Sequence, residues 1–345
     1  MPSQTPPPPF RVLRAHTVQI NSLQFTSDNE YLIAGDSSGR VTVTSTRTWR
    51  PVADWVAHTD SVLGVQEWEG QIITHGRDYK LHVWRLAPTV PLLADAAGSP
   101  TLATPTIVFS LDVNALNYCR FALYPVSRGK ALLALPNLVE SELIDIWEIP
   151  STTRLHAGIG TIEGAAPRKP FSDEGRDIYK TGIMMSVHIS QTSTHLRVLA
   201  AYESGTVTLW TRALSDPPMS VEGQGWNPTW SVKHHLEAVM GMDVTRDGTL
   251  AATVSADHII CRYKLNKSSD NTEDFEPLAT KHLGNSSVAF RADGRVLGVA
   301  GWDGAIRLYS TSRRYEDHVP SVILREATIR NAHGAFNMPK GRCAP

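Results

Sequence analysis

Cysteine is scarce: Cys119, Cys261 and Cys343 are the only three in 345 residues. So few, so widely spread, imply neither a disulfide framework nor a CxxC metal pair. No apolar run is long enough to cross a bilayer, and the start does not read as a secretory leader. Net charge is also missing. Thirty-three Lys and Arg stand against 34 Asp and Glu, leaving −1 and no whole-chain basic field for nucleic acid or an anionic membrane. A reducing compartment, no membrane partner and no direct nucleic-acid partner are therefore expected. Catalytic signatures are lacking too. There is no GxxxxGK[ST] phosphate loop, no HExxH and no GxSxG elbow, and GIGTIEG at 158–164 misses the GxGxxG spacing. No catalytic residue, metal ligand or cofactor is expected.

What is present is a repeated frame. In AGWDGAIRLYS, residues 300–310, Asp303 and Gly304 form a hairpin turn signal, and Tyr309 follows six positions after Asp303. Ile306 and Leu308 alternate with Arg307 and Tyr309, the period of a half-buried strand. The same offset joins Asp78 to Trp84, Ser141 to Trp147, Ser204 to Trp210 and Asp257 to Tyr263. Ser38 opens an equivalent segment in which Thr44 replaces the aromatic. His16, His58, His235 and His282 precede Ser38, Asp78, Asp257 and Asp303 by about 20 residues. A period of roughly 40 residues, with a histidine early and an aspartate-to-aromatic ending, is the signature of propeller blades of four strands. In such blades the residues make a buried polar network, which must be complete because unpaired buried polar groups are costly. His58, Thr74, Asp78 and Trp84 give the most complete set; serine at positions 38, 141 and 204 predicts weaker ones. A structural role is expected for all of them.

Along the chain, residues 1–9 form a proline-rich tail and 10–311 carry the repeats. The strand-like stretch Phe10 to Ala15 is expected to complete the last blade and close the ring. Insertions fall at 87–105 and 161–180. The second gathers Arg168, Lys169, Asp173, Glu174, Arg176 and Asp177, a solvated charge cluster and a candidate partner-binding loop. Of Trp226 and Trp230, one is expected to be exposed, with Trp230 the better core residue. Residues 312–345 are irregular: VPSVILREATIR could give one strand, and no seventh repeat follows. The expected fold is all-β, a seven-bladed propeller with six recognisable repeats and an incomplete last blade. The irregular end is read as mistranslated sequence.

AGWDGAIRLY, HGRDYKLHVW, LAAYESGTVTLW and the IDIWEIP ending of repeat three resemble a family of WD-repeat proteins. This is the WD-repeat subunit of the fungal ASTRA complex, with its animal relatives, the guanine nucleotide-binding protein β-subunit-like proteins. The resemblance covers residues 10 to 311. It implies a nuclear scaffold, with some cytoplasmic presence, working with HEAT-repeat cochaperones, RuvB-like ATPases and a transcription-associated pseudokinase. Chromatin remodelling, telomere maintenance and stability of phosphatidylinositol-kinase-like kinases are the implied roles. Two rivals remain. A G-protein β-like signalling scaffold would need a heptad-bearing N-terminal helix, which the proline-rich start lacks. A reader of peptides or modified histone tails would need a ring of charged or aromatic side chains around the channel.

Overall fold

A computed structural model describes residues 11–86, 102, 104–115, 118–161, 181–266, 275–282 and 284–311, and the backbone of 324–327. The described residues hold strands and turns and no helix. Blade one is β1 (Ile20–Phe25), β2 (Tyr31–Asp36), β3 (Arg40–Ser45) and β4 (Pro51–Val56). Blade two is β5 (Val62–Trp68), β6 (Gln71–Gly76), β7 (Lys80–Arg85) and β8 (Thr106–Asp112). Blade three is β9 (Ala122–Ser127), β10 (Lys130–Pro136), β11 (Ile144–Ile149) and β12 (Thr153–Ile159). Blade four is β13 (Met184–Gln191), β14 (His195–Tyr202), β15 (Thr206–Ala213) and β16 (Asn227–Lys233). Blade five is β17 (Val239–Val244), β18 (Leu250–Ser255), β19 (Ile259–Lys264) and β20 (Phe275–Ala279). Blade six is β21 (Asn285–Phe290), β22 (Val296–Gly301), β23 (Ile306–Ser310) and β24 (Leu324–Ala327).

Each blade is an antiparallel meander of four strands consecutive in sequence. The middle strands are nearly continuous apolar runs, as in LRVLAAY of β14, because a blade is covered on both faces by its neighbours. The fourth strands alternate, burying Ala53 and Trp55 while exposing Pro51 and Val56. Hairpin turns take glycine where the backbone is left-handed. Gly39, at φ 85°, also lies against the next blade: an added Cβ would meet the His58 carbonyl oxygen at 1.9 Å. That approach lets the His58 and Ala57 N–H groups donate to the Gly39 carbonyl at 3.1 and 2.9 Å.

The structure is a six-bladed propeller rather than the expected seven-bladed one with an incomplete last blade. Blade six takes its fourth strand from 324–327, inside VPSVILREATIR. Residues 11–15 form no strand, and among the described residues the first blade uses only its own four. The reason lies in β24: once it pairs with β23, that edge is occupied.

The core is five clusters, each sealing two successive blades. Ile33, Val41 and Val43 of blade one pack on Val62 and Val65 of blade two. Leu81 and Val83 meet Leu133 and Ile149, and Ile144 and Ile146 meet Val187 and Ile189. Leu199 and Leu209 meet Val239 and Tyr263, and Ala252 and Val254 meet Val288 and Val299. Trp226 and Trp230, one of them expected at the surface, are both buried. Trp226 reaches back to His156 of blade three, edge-on at 5.4 Å, while Trp230 stacks on Tyr263 of blade five at 5.5 Å.

Candidate functional site

The histidine networks are built by the turns. In blade two, His58 Nδ1 lies 2.8 Å from Asp78 and Nε2 2.8 Å from the Thr74 hydroxyl, which also accepts from Trp84 Nε1 at 2.9 Å. The Thr59 N–H donates to the second Asp78 oxygen at 2.9 Å. Burial lowers the pKa of His58 despite the pull of Asp78. Burial would raise that of Asp78, but the Thr59 N–H and His58 outweigh it and hold the carboxyl low. His82 stacks on His58 at 5.0 Å, and His58, Asp78 and His82 could be drawn as a metal triad. Both ring nitrogens of His58 already have partners, so the set does not suit an ion.

Blade five repeats the pattern more loosely. His235 Nε2 meets Thr253 at 2.7 Å, Tyr263 reaches the same hydroxyl at 3.0 Å, and Nδ1 stands 3.4 Å from Asp257. Blades one and six depart from the sequence pairing. His16 meets Asp36 at 2.6 Å and Thr42 at 2.8 Å, while Ser38 only donates to Asp36. An aspartate two positions earlier, on the strand end, outbids a serine as acceptor because it carries charge. His282 turns to Asn285 at 2.9 Å, and Asp303 is clamped by Arg307 at 3.1 and 2.5 Å. Arg307 drops the Asp303 pKa to about 2. Tyr309 packs, partly buried, against the blade five–six cluster.

Among the described residues of blades three and four no histidine pairs with an aspartate; His156 instead meets the Ser220 hydroxyl at 2.9 Å. In blade four Ser204 donates to Thr206 at 2.9 Å, and Trp210 is buried in the seam with blade three. Blade three instead buries an amide–carboxylate chain. Ser141 donates to Asn114 at 3.4 Å, Asn114 to the Asn137 carbonyl at 2.6 Å, and Asn137 to Asp145 at 2.9 Å. Asp145, fully buried, also accepts from the Gly158 N–H at 2.9 Å and pairs with Arg154 at 3.1 Å, whose guanidinium lies near the Trp147 ring. The Asn137-to-Asp145 link carries no histidine, and asparagines flanking a strand pair are its trace in the sequence.

A recess opens beside the blade five network. Leu236, Glu237, Ala256, Asp257, His258 and Trp302 line a cleft of about 520 Å³ between blades five and six. Leu236 and Trp302 are both largely exposed. Gly284, at φ 77°, makes room for the indole: an added Cβ would meet its ring at 2.2 Å, and the Gly284 carbonyl accepts the Trp302 backbone N–H at 2.9 Å. The GWDG segment signals its turn in sequence, but not that its tryptophan faces solvent beside an apolar shelf. The charged set Arg168, Lys169, Asp173, Glu174, Arg176 and Asp177 lies outside the described residues.

Buried polar networks at the blade turns, with an exposed aromatic on a loop face, are what this β-propeller presents. The family model described as ASTRA-associated protein 1 matches residues 9–337, and the chain belongs to that family. The match runs past the last regular repeat, which counts against reading all of 312–345 as foreign sequence. ASTRA-associated protein 1 of Verticillium alfalfae is 33% identical over 323 residues, covering 88% of this chain and 73% of its own length. That of Schizosaccharomyces japonicus is 31% identical, covering 88% and 87%. That of Schizosaccharomyces pombe is 29% identical, also covering 88% and 87%.

Proposed function

We propose that this chain is a non-catalytic subunit of the ASTRA assembly and that it docks a protein partner through the Trp302 cleft. Family membership supports the assembly; the exposed indole over Gly284 is the observation that carries the docking face. Exposed tryptophan beside an aliphatic shelf is the composition of interface anchors, and loops on a rigid propeller are where such anchors are held. Asp257 at the cleft serves folding: it accepts from the Leu236 and Ile259 N–H groups at 2.8 and 2.7 Å. The partners this reading names are HEAT-repeat cochaperones, RuvB-like ATPases and the transcription-associated pseudokinase, in the nucleus. The roles are chromatin remodelling, telomere maintenance and kinase stability.

The experiment is affinity purification of the tagged chain from nuclear extract, wild type against Trp302→Ala. The reading expects the three partner classes with the wild type and at least a tenfold loss of one of them with Trp302→Ala, at unchanged melting temperature. Recovery of histones or short peptides alone would move the function to a peptide reader.

A further inference from the structure

In three blades the turn between the second and third strands opens on a residue whose N–H donates to the chain just ahead of that blade's first strand. Arg77 donates to Ser61, Ala256 to Ala238 and Trp302 to Gly284, at 2.9, 3.2 and 2.9 Å. Trp302 therefore stands in blade six where Arg77 stands in blade two. The Arg77 guanidinium lies 4.7 Å from the centroid of the Tyr118 ring and donates to its hydroxyl at 3.3 Å. Blade two thus sets a cation from this turn position against an aromatic ring, where positive charge meets the ring's negative face. Blade six supplies the ring alone. Among the described residues no guanidinium or ammonium lies over Trp302, whose indole is half exposed and rests on Gly284.

The cleft beside that indole carries charge of one sign. Glu237 and Asp257 line it with Leu236, Ala256, His258 and Trp302, and no Lys or Arg does. Glu237 is exposed, and its backbone carbonyl accepts the Ser255 hydroxyl at 3.0 Å. Its carboxylate has no hydrogen bond or ion pair among the described residues. Two other exposed acids are paired within the chain, Asp293 with Arg291 at 2.8 Å and Asp303 with Arg307 at 3.1 Å. An unpaired carboxylate beside an open indole repels an anion such as phosphate and attracts a cation. A guanidinium meets both groups at once, because it is planar, stacks on aromatic faces and pairs with a carboxylate through two parallel N–H bonds. An ammonium is a compact, strongly hydrated point charge and lacks that fit.

We infer that the Trp302 cleft receives an arginine side chain of the docked protein, its guanidinium stacked on the indole and paired with Glu237. The apolar stem of that arginine lies along Leu236, which is 70% exposed and needs such cover. The inference rests on the docking reading of the same cleft and adds the chemistry of what enters it. At about 520 Å³ the cleft is of the size that encloses a small ligand, so one long side chain with its flanking backbone fits.

The test uses the tagged full chain in its native assembly, with a photo-crosslinking residue replacing Leu236. The adduct is expected on one partner subunit, in a segment that carries an arginine. Glu237→Arg should then lower recovery of that subunit by roughly tenfold or more at unchanged melting temperature, because like charges would face each other. Changing the crosslinked arginine to glutamate should restore recovery with Glu237→Arg and lower it with the wild type. If Glu237→Arg itself lowers the melting temperature, Glu237→Gln takes its place, with a smaller loss in the same direction. No adduct, an adduct in a segment without arginine, full recovery when that arginine is replaced by lysine, or wild-type recovery with the Glu237 variants overturns the inference. Should Trp302→Ala alone reduce recovery, the docking reading stands and the arginine falls; should no variant reduce it, both fall.

Discussion

Thr74 is the residue on which blade two turns, because its one hydroxyl serves both His58 and Trp84. Thr74→Val keeps the shape and strands two buried polar groups, so a loss of about 2–3 kcal/mol in chemical denaturation is expected. A neighbouring histidine sets the acid limit. His75 is buried with Nδ1 unpartnered, and burial drops its pKa to about 3; His156 and His188 are lowered to about 4 for the same reason. The folded state keeps these rings neutral while the unfolded chain protonates them near pH 6.5. Stability is therefore full above that value and is lost as pH falls toward 4. At pH 5 His75 alone accounts for about 2 kcal/mol. Denaturant midpoints from pH 7 to 5 should fall for the wild type and less steeply for His75→Leu; parallel curves would refute the assignment.

Within an element, the hairpin turn decides how closely the next blade can approach. Gly39 and Gly205 share φ 85° and bear on the carbonyls of His58 and His235. Gly39→Ala imposes a left-handed alanine and a backbone clash together, so about 2–4 kcal/mol of destabilisation is expected by thermal melting. Gly129→Ala, with open space at its Cβ and φ 73°, is the control that suffers the conformational strain only. Third-to-fourth-strand ion pairs recur as well, Arg40 with Asp54, Lys80 with Asp112 and Arg262 with Glu276. They lie partly in solvent and orient the outer strand more than they stabilise it.

Across the whole molecule, five seams in series make the interior blades the most protected. Among the described residues blades three and four are sealed on both sides, and blades one and six on one side each. Native-state hydrogen exchange should be slowest in β10 and β14 and fastest in β1 and β23, in the manner of repeat proteins whose ends fray first. Equal protection around the propeller would contradict the open series. The turn-to-aromatic spacing alone announced blades two and five with their networks, since a period of strands and turns is a local property. Blade three's Asn114–Asn137–Asp145 chain stayed hidden because its members are paired through strands, not through a spacing.

The sequence by itself determined the all-β propeller, the positions of most hairpins and the family, because alternation and turn chemistry act over a few residues. Only the tertiary structure decided which acceptor each histidine takes, that 324–327 supplies the last strand of blade six, and that Trp226 is buried while Trp302 is not. Burial is set by what stands opposite a side chain, and in a propeller that neighbour is a whole blade away.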